Sequence, residues 1–221
     1  MEISFNEILL LEEGFKYFNI DFLTDTIEKF TEFINELLLW NRKTNLIGTN
    51  DPSEIVTKHI LDSLSIYPLL GKKNLSILDI GSGAGFPGLP LAIIWKGYEV
   101  TAVERRSKRA GFLRNVSNML ELKNFKVVEK DIRDLDKSLK YDIITARAFG
   151  DLSLIYELSK NYLKERAMII AFKGRISELQ KEVERLREKI KDKDRVGVHI
   201  EEVKIPNLDE EERHLVVIET V

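Results

Sequence analysis

Cysteine is absent from the 221-residue chain. Disulfides, thiolate metal sites and cysteine nucleophiles are therefore excluded. Secreted domains of this size often carry disulfides, so the absence points to the cytosol. Histidine occurs three times, at His59, His199 and His214, without clustering, and no metal centre is expected. No apolar run approaches the roughly 18 residues that a membrane span needs. Met1-Glu2-Ile3-Ser4 lacks the basic start of a signal peptide, so the expectation is a cytoplasmic protein. An excess of one charge sign is also missing: 34 Lys and Arg stand against 37 Asp and Glu, a net charge of −3. That argues against a surface attracting nucleic acid over its whole extent, but leaves room for a local basic patch.

What is present is enough apolar material for a sizeable core, 43% hydrophobic residues beside 32% charged. The length suits one large domain, or one with a small extension. Residues 1–70 read as helical. Phe5, Ile8, Leu9, Phe15 and Phe18 recur at roughly helical spacing, and Ile27, Phe30, Ile34, Leu37 and Leu38 do so more cleanly. Thr24 or Asp25 is the expected cap of that second helix, which should fray by Asn45. Pro52 suits the first turn of a third helix reaching about Leu70.

From Leu75 short apolar runs alternate with helical stretches. Strands are predicted at Leu75–Ile80, Glu99–Val103, Phe125–Val128, Tyr141–Ala146 and Ala167–Phe172, with helices at Gly88–Trp95, Lys108–Leu122 and Leu152–Leu163. This alternation implies an α/β fold with a mostly parallel sheet covered on both faces. Ile176, Leu179, Val183, Leu186 and Ile190 then mark a helix packing one stripe on the sheet. Val196–Ile205 and His214–Val221, separated by Pro206-Asn207 and an acidic turn, suggest an antiparallel edge hairpin. The expected division is a helical cap over 1–70 and a catalytic domain over 71–221.

The most informative stretch runs from Leu78 to Gly88, LDIGSGAGFPG, between a predicted strand and a helix. A P-loop reading fails because Leu89-Pro90 stands where the phosphate-binding lysine belongs. A dinucleotide reading fails because Phe86 occupies the third glycine position and Pro87 removes a donor from the helix start. Asp79 is a poor neighbour for phosphate; it suits a cationic ligand, or can hold the loop by accepting from its N–H groups. S-adenosylmethionine, a sulfonium without phosphates, fits. The spacing of Asp79, Gly81, Gly83 and Gly85 resembles that of the Rossmann-like class I methyltransferases. Glu104, ending the second strand, can accept from both ribose hydroxyls, as in NAD sites too. Asp131, Ile132 and Arg133 follow the third strand, where the adenine edge would lie. Ser82 has no nucleophile-elbow glycine two residues before it.

Six segments then occur in order: Trp40–Leu46 (WNRKTNL), Lys58–Ser63 (KHILDS), the Asp79–Pro90 loop, Ala146–Phe149 (ARAF), Phe172–Gly174 (FKG) and Glu212–Ile218 (ERHLVVI). Together they resemble the bacterial small-subunit ribosomal RNA guanine-N7 methyltransferases, the glucose-inhibited division protein B family, from about residue 37 to the C-terminus. The resemblance implies methyl transfer from S-adenosylmethionine to a guanine N7 of 16S ribosomal RNA, with the small subunit as partner, no metal and a monomeric state. It places cofactor contacts on Gly81, Phe86, Ile132, Arg133 and Arg147. Lys173, Arg175, Arg213 and His214 fall where RNA can pass, and Arg105, Arg106, Lys108 and Arg109 add a basic run near the cofactor. Arg147, Lys173 and Arg213 are expected to position the reactants without a general base. The absence of an Asn/Asp-Pro-Pro motif after the fourth strand fits a target that is not an amine. Trp40 is expected to pack between cap and sheet, and His59 with Asp62 to make a cap or an inter-helix hydrogen bond. Two alternatives remain open: a class I methyltransferase for another RNA, a protein or a small molecule, and a non-catalytic RNA-binding assembly protein.

Overall fold

The computed structural model describes residues 3–190, 196–208 and 211–220. Asp209 and Glu210 of the acidic turn, and Val221 at the end of the second late strand, lie outside them, as do Met1 and Glu2. Three N-terminal elements come first: α1 (Phe5–Tyr17), α2 (Thr24–Thr44) and a continuous helical run of α3 (Pro52–Glu54), a π-helical stretch (Ile55–Leu61) and α4 (Asp62–Leu64), followed by the short α5 (Tyr67–Leu70). The alternating part comprises β1 (Leu75–Ile80), α6 (Gly88–Ile94), β2 (Tyr98–Val103), α7 (Ser107–Met119), β3 (Phe125–Val128), β4 (Tyr141–Arg147), α8 (Leu152–Ser159), β5 (Leu163–Lys173), α9 (Ile176–Lys189), β6 (Val196–Glu202) and β7 (His214–Thr220).

The seven strands form one sheet in the order β3-β2-β1-β4-β5-β7-β6. β1 pairs in parallel with both β2 and β4, so the chain reverses its winding beside β1. Only β7 runs against its neighbours, pairing antiparallel with β5 and β6 and producing the expected edge hairpin. Ile77, Val100, Ile143, Ile170 and Val217 face α6, α7 and the N-terminal helices in one continuous core. Leu78, Ile144, Ile169, Val216 and Ile218 face α8 and α9, whose Leu179, Val183 and Leu186 deliver the stripe read from the sequence. In such a sheet, ligands bind outside the carboxyl ends of the strands at the reversal, between β1 and β4.

The N-terminal helices depart from the sequence reading in detail. Phe5 is 72% exposed and Leu9 also faces water, whereas Leu11 and Phe15 are fully buried. The face is chosen by a close crossing: a Cβ on Gly14 would fall 2.2 Å from Leu61 Cδ2, so α1 meets the π-helical stretch there. Thr24 is already helical; Leu23 is the cap residue, and its N–H donates to Thr26 Oγ1 at 3.4 Å. Asn45 does end α2, in the left-handed conformation. The third helix stops at Leu64, short of Leu70, because Pro68 cannot continue an uninterrupted ladder of N–H donors. Trp40 packs edge-on against Phe112 of α7, 5.6 Å between centroids, within the core that joins the N-terminal helices to this face of the sheet. Among the described residues no helix is long and apolar enough to cross a membrane.

Candidate active site

Gly81, Gly83 and Gly85 all have positive φ, 69°, 59° and 92°, the region where a Cβ is costly. The backbone N–H groups of Gly81 and Ser82 donate to Val103 O, at 2.9 and 3.2 Å, lashing the loop to the end of β2. Glu104 continues this binding: its carboxylate accepts from Gly83 N at 3.0 Å and Arg106 N at 2.8 Å. Asp79 lies beneath the loop, with no exposed surface. It accepts from Thr145 Oγ1 at 2.9 Å and Gly88 N at 3.3 Å. Of the two roles open to it in the sequence, the structure shows the loop-holding one; burial pushes its pKa up to about 6, against these donors. Because the first N–H of α6 is spent on Asp79, that helix start offers no pyrophosphate cradle.

Two clefts open at the carboxyl ends of the strands. The first, about 320 Å³, is lined by Gly81, Glu104, Arg105, Arg106, Arg109, Lys130 to Arg133, and Phe149, with Leu154 and Leu158 from α8. An acid beside an apolar wall fits the adenosine half of S-adenosylmethionine. Asp131 caps the turn at Ile132–Asp134, accepting from Arg133 N at 3.0 Å. The second cleft, about 300 Å³, is lined by Asp62, Arg147, Lys173, Gly174 and Arg213. The clefts share Ala148 and Phe149. Phe149 forms the wall between them, its ring so near the glycine loop that a Cβ on Gly81 would lie 2.4 Å from it. The segment turns through Ala148 at φ 51° and Gly150 at φ 138°. Lys173 Nζ donates to Gly150 O at 2.6 Å and pairs with Glu182 at 2.7 Å, while Glu182 also accepts from Leu152 N at 3.1 Å.

Several expected site residues sit elsewhere than the sequence implied. Arg147 lines the second cleft and is not among the residues of the first. Its Nε meets Asp62 at 3.0 Å, and its Nη2 donates to Lys58 O at 2.6 Å and lies 3.1 Å from His59 Nδ1. Phe86 is buried away from the clefts, its ring stacked on His59 at 5.1 Å and packed on Phe33. A close turn with Phe86 at its tip serves the core here, and its ring lines neither cleft. His214 is also buried, its Nδ1 2.6 Å from Gly174 O, and it does not line the second cleft. Arg213 pairs with Asp62 at 3.4 Å and with Glu211 at 2.5 Å. Arg175, Arg105, Arg106 and Lys108 are exposed and Arg109 half-buried; Arg105 reaches Asp131 at 3.8 Å.

Sequence reasoning missed the anchoring role of Asp62 and His59. The π-helical stretch supplies Lys58 O and the His59 ring, and α4 supplies Asp62, all to one arginine from β4. π-Helical turns often mark functional positions. The signal available was the Lys58–Ser63 segment, but its partner Arg147 lies 89 residues from Lys58. Glu182 was missed because it reads as one more charge on a solvated helix face. Burial and the neighbouring Arg147 push His59 down to about 4, so its ring is neutral. Burial raises Asp62 and lowers Arg147, each opposed by the other's charge. A neutral Asp62 would leave the buried Arg147 guanidinium without its paired carboxylate, so the carboxylate form is the one held at neutral pH.

The order of strands, the glycine loop and the acid ending β2 define a Rossmann-like class I methyltransferase. The solved structure of M. jannaschii TYW2 in complex with AdoMet shares the fold, at a TM-score of 0.53 and 22% identity over 68% of this chain and 69% of that one. A family model described as GidB, rRNA small subunit methyltransferase G, matches residues 26–216, and the chain belongs to that family. Among its relatives, the ribosomal RNA small subunit methyltransferase G of Acetivibrio thermocellus is 38% identical over 76% of this chain and 72% of its own. That of Desulfitobacterium hafniense is 36% identical over 90% and 82%.

Proposed function

We propose that the chain transfers the methyl group of S-adenosylmethionine to N7 of one guanine in 16S ribosomal RNA of the small subunit, acting as a cytoplasmic monomer. In this reading residues 71–221 carry the chemistry and the helices of 1–70 brace it. The observation that carries the proposal is the pair of clefts divided by Phe149. One offers Glu104 and an apolar wall to an adenosine, the other Lys173 and Arg213, beside the internally held Arg147, to an anionic polymer and its base.

S-Adenosylmethionine supplies an electrophilic methyl on its sulfonium. Glu104 accepts from the ribose hydroxyls, and the backbone at Ile132 and Arg133 flanks the adenine. Guanine N7 carries a lone pair and no proton at neutral pH, so no side chain has to remove one. The second cleft agrees with this: its carboxylate, Asp62, is spent on arginines, and the nearby His214 ring is turned onto Gly174. What remains for the protein is alignment and exclusion of water. Lys173 and Arg213 reach RNA phosphates by exchanging Glu182 and Glu211 for them. Phe149 offers the flipped base a stacking surface. The test is to incubate the protein with labelled S-adenosylmethionine and small subunits from cells lacking it, then map the modified base. Label at a guanine N7 supports the reading; label on another atom, or none, refutes it.

A further inference from the structure

Among the described residues that line the second cleft, Asp62 is the one carboxylate, beside Arg147, Lys173 and Arg213. Its two oxygens are divided, Oδ2 to Arg147 at 3.0 Å and Oδ1 to Arg213 at 3.4 Å. The two guanidiniums come from different strands, one ending β4 and one preceding β7, and Asp62 meets both directly, beside Lys58, whose carbonyl accepts from Arg147 and whose Nζ pairs with Glu211 at 3.0 Å. Nη2 of Arg147 is taken up inside the protein by Lys58 O and His59. Arg147 is thus a strut rather than a free hand for RNA.

Methylation at N7 leaves the base with a positive charge. With Lys173 held by Glu182 and Arg213 by Glu211, an Arg147 without Asp62 would set its positive charge against that of the base. Resting on the N7 reading, we propose that Asp62 is a positioning residue that neutralises Arg147 and aims Arg213, so that the cleft tolerates the cationic methylated guanine forming in it. At protein-like effective dielectric, one charge a few ångströms from the base changes binding of a cation by about fivefold to tenfold or more.

The experiment first maps the product of the unaltered enzyme, which tests the N7 reading separately. It then measures, for each variant, the affinity for small subunits methylated at the target relative to unmethylated ones. Asp62→Asn should lower this ratio about fivefold to tenfold, and Arg147→Gln, which leaves the carboxylate but removes a cation, should raise it. A merely structural role would weaken both affinities together. If Asp62→Asn does not fold, Arg147→Gln alone decides. A ratio unchanged in the folded variants, or lowered by Arg147→Gln, overturns the proposal.

Discussion

Glu104 has two tasks that its geometry joins. It holds the glycine loop through Gly83 N and Arg106 N, and it lines the first cleft, where the proposed function has it accept from the ribose hydroxyls. Charge-assisted hydrogen bonds of this kind are worth about 1.5–3 kcal/mol. Glu104→Ala should therefore weaken S-adenosylhomocysteine binding by about tenfold or more in calorimetry while the circular dichroism stays native; unchanged binding removes Glu104 from the cofactor site. His59 is a residue of another kind, a neutral ring between Phe86 and Arg147. Its pKa in the fold is about 4, against 6.5 in an unfolded chain. The unfolded state takes up the proton first, so this ring contributes stability above pH 6.5 that is lost as pH falls towards 4. At pH 5 the loss is about 2 kcal/mol. Asp79, raised to about 6, acts in the opposite sense, its share falling as pH rises through 6, but it is common to both proteins. Thermal melts at pH 5 and pH 7.5 should show a smaller drop on acidification for His59→Gln than for the unaltered chain; equal drops would contradict the assignment.

At the scale of elements, the π-helical stretch carries the second cleft's anchors, and α1 crosses it at Gly14. A methyl group there meets the buried Leu61, so Gly14→Ala should overpack the crossing by about 1–3 kcal/mol and lower the melting temperature; a stabilised variant would mean that the crossing has slack. The strands and the helices between them were legible because a sheet buried on both faces leaves continuous apolar runs between turns. Helix ends were less so: the sequence extended the helix from Leu152 to Leu163, but it closes at Ser159 and Leu163 already belongs to β5. The face of α1 was misread because Phe5 and Leu9 fit the period while only tertiary contact selects Leu11. In the site, the glycine loop and Glu104 were legible since both lie within a short span with its own backbone demands. Arg147, Phe86 and His214 were not, because their partners Asp62, His59 and Gly174 are distant in sequence and decide which way each side chain points.

For the whole molecule, a net charge of −3 makes RNA capture a matter of local cations. Replacing Lys173 or Arg213 by Ala should reduce RNA affinity and methylation but spare S-adenosylhomocysteine binding, and each lost phosphate contact should flatten the salt dependence of RNA binding by about one unit of logarithmic slope. Variants that lose cofactor instead would place these residues in the first cleft. The central claim, that the clefts align an unprotonated N7 with a methyl donor and need no base, is tested most directly by single-turnover transfer to small subunits carrying 7-deazaguanine at the target, beside unmodified ones, from about pH 6 to pH 9. The expected result is a nearly flat rate on guanine and no transfer to the deaza base. A steep rise with a catalytic pKa, or methyl transfer to the deaza base at another atom, would contradict it.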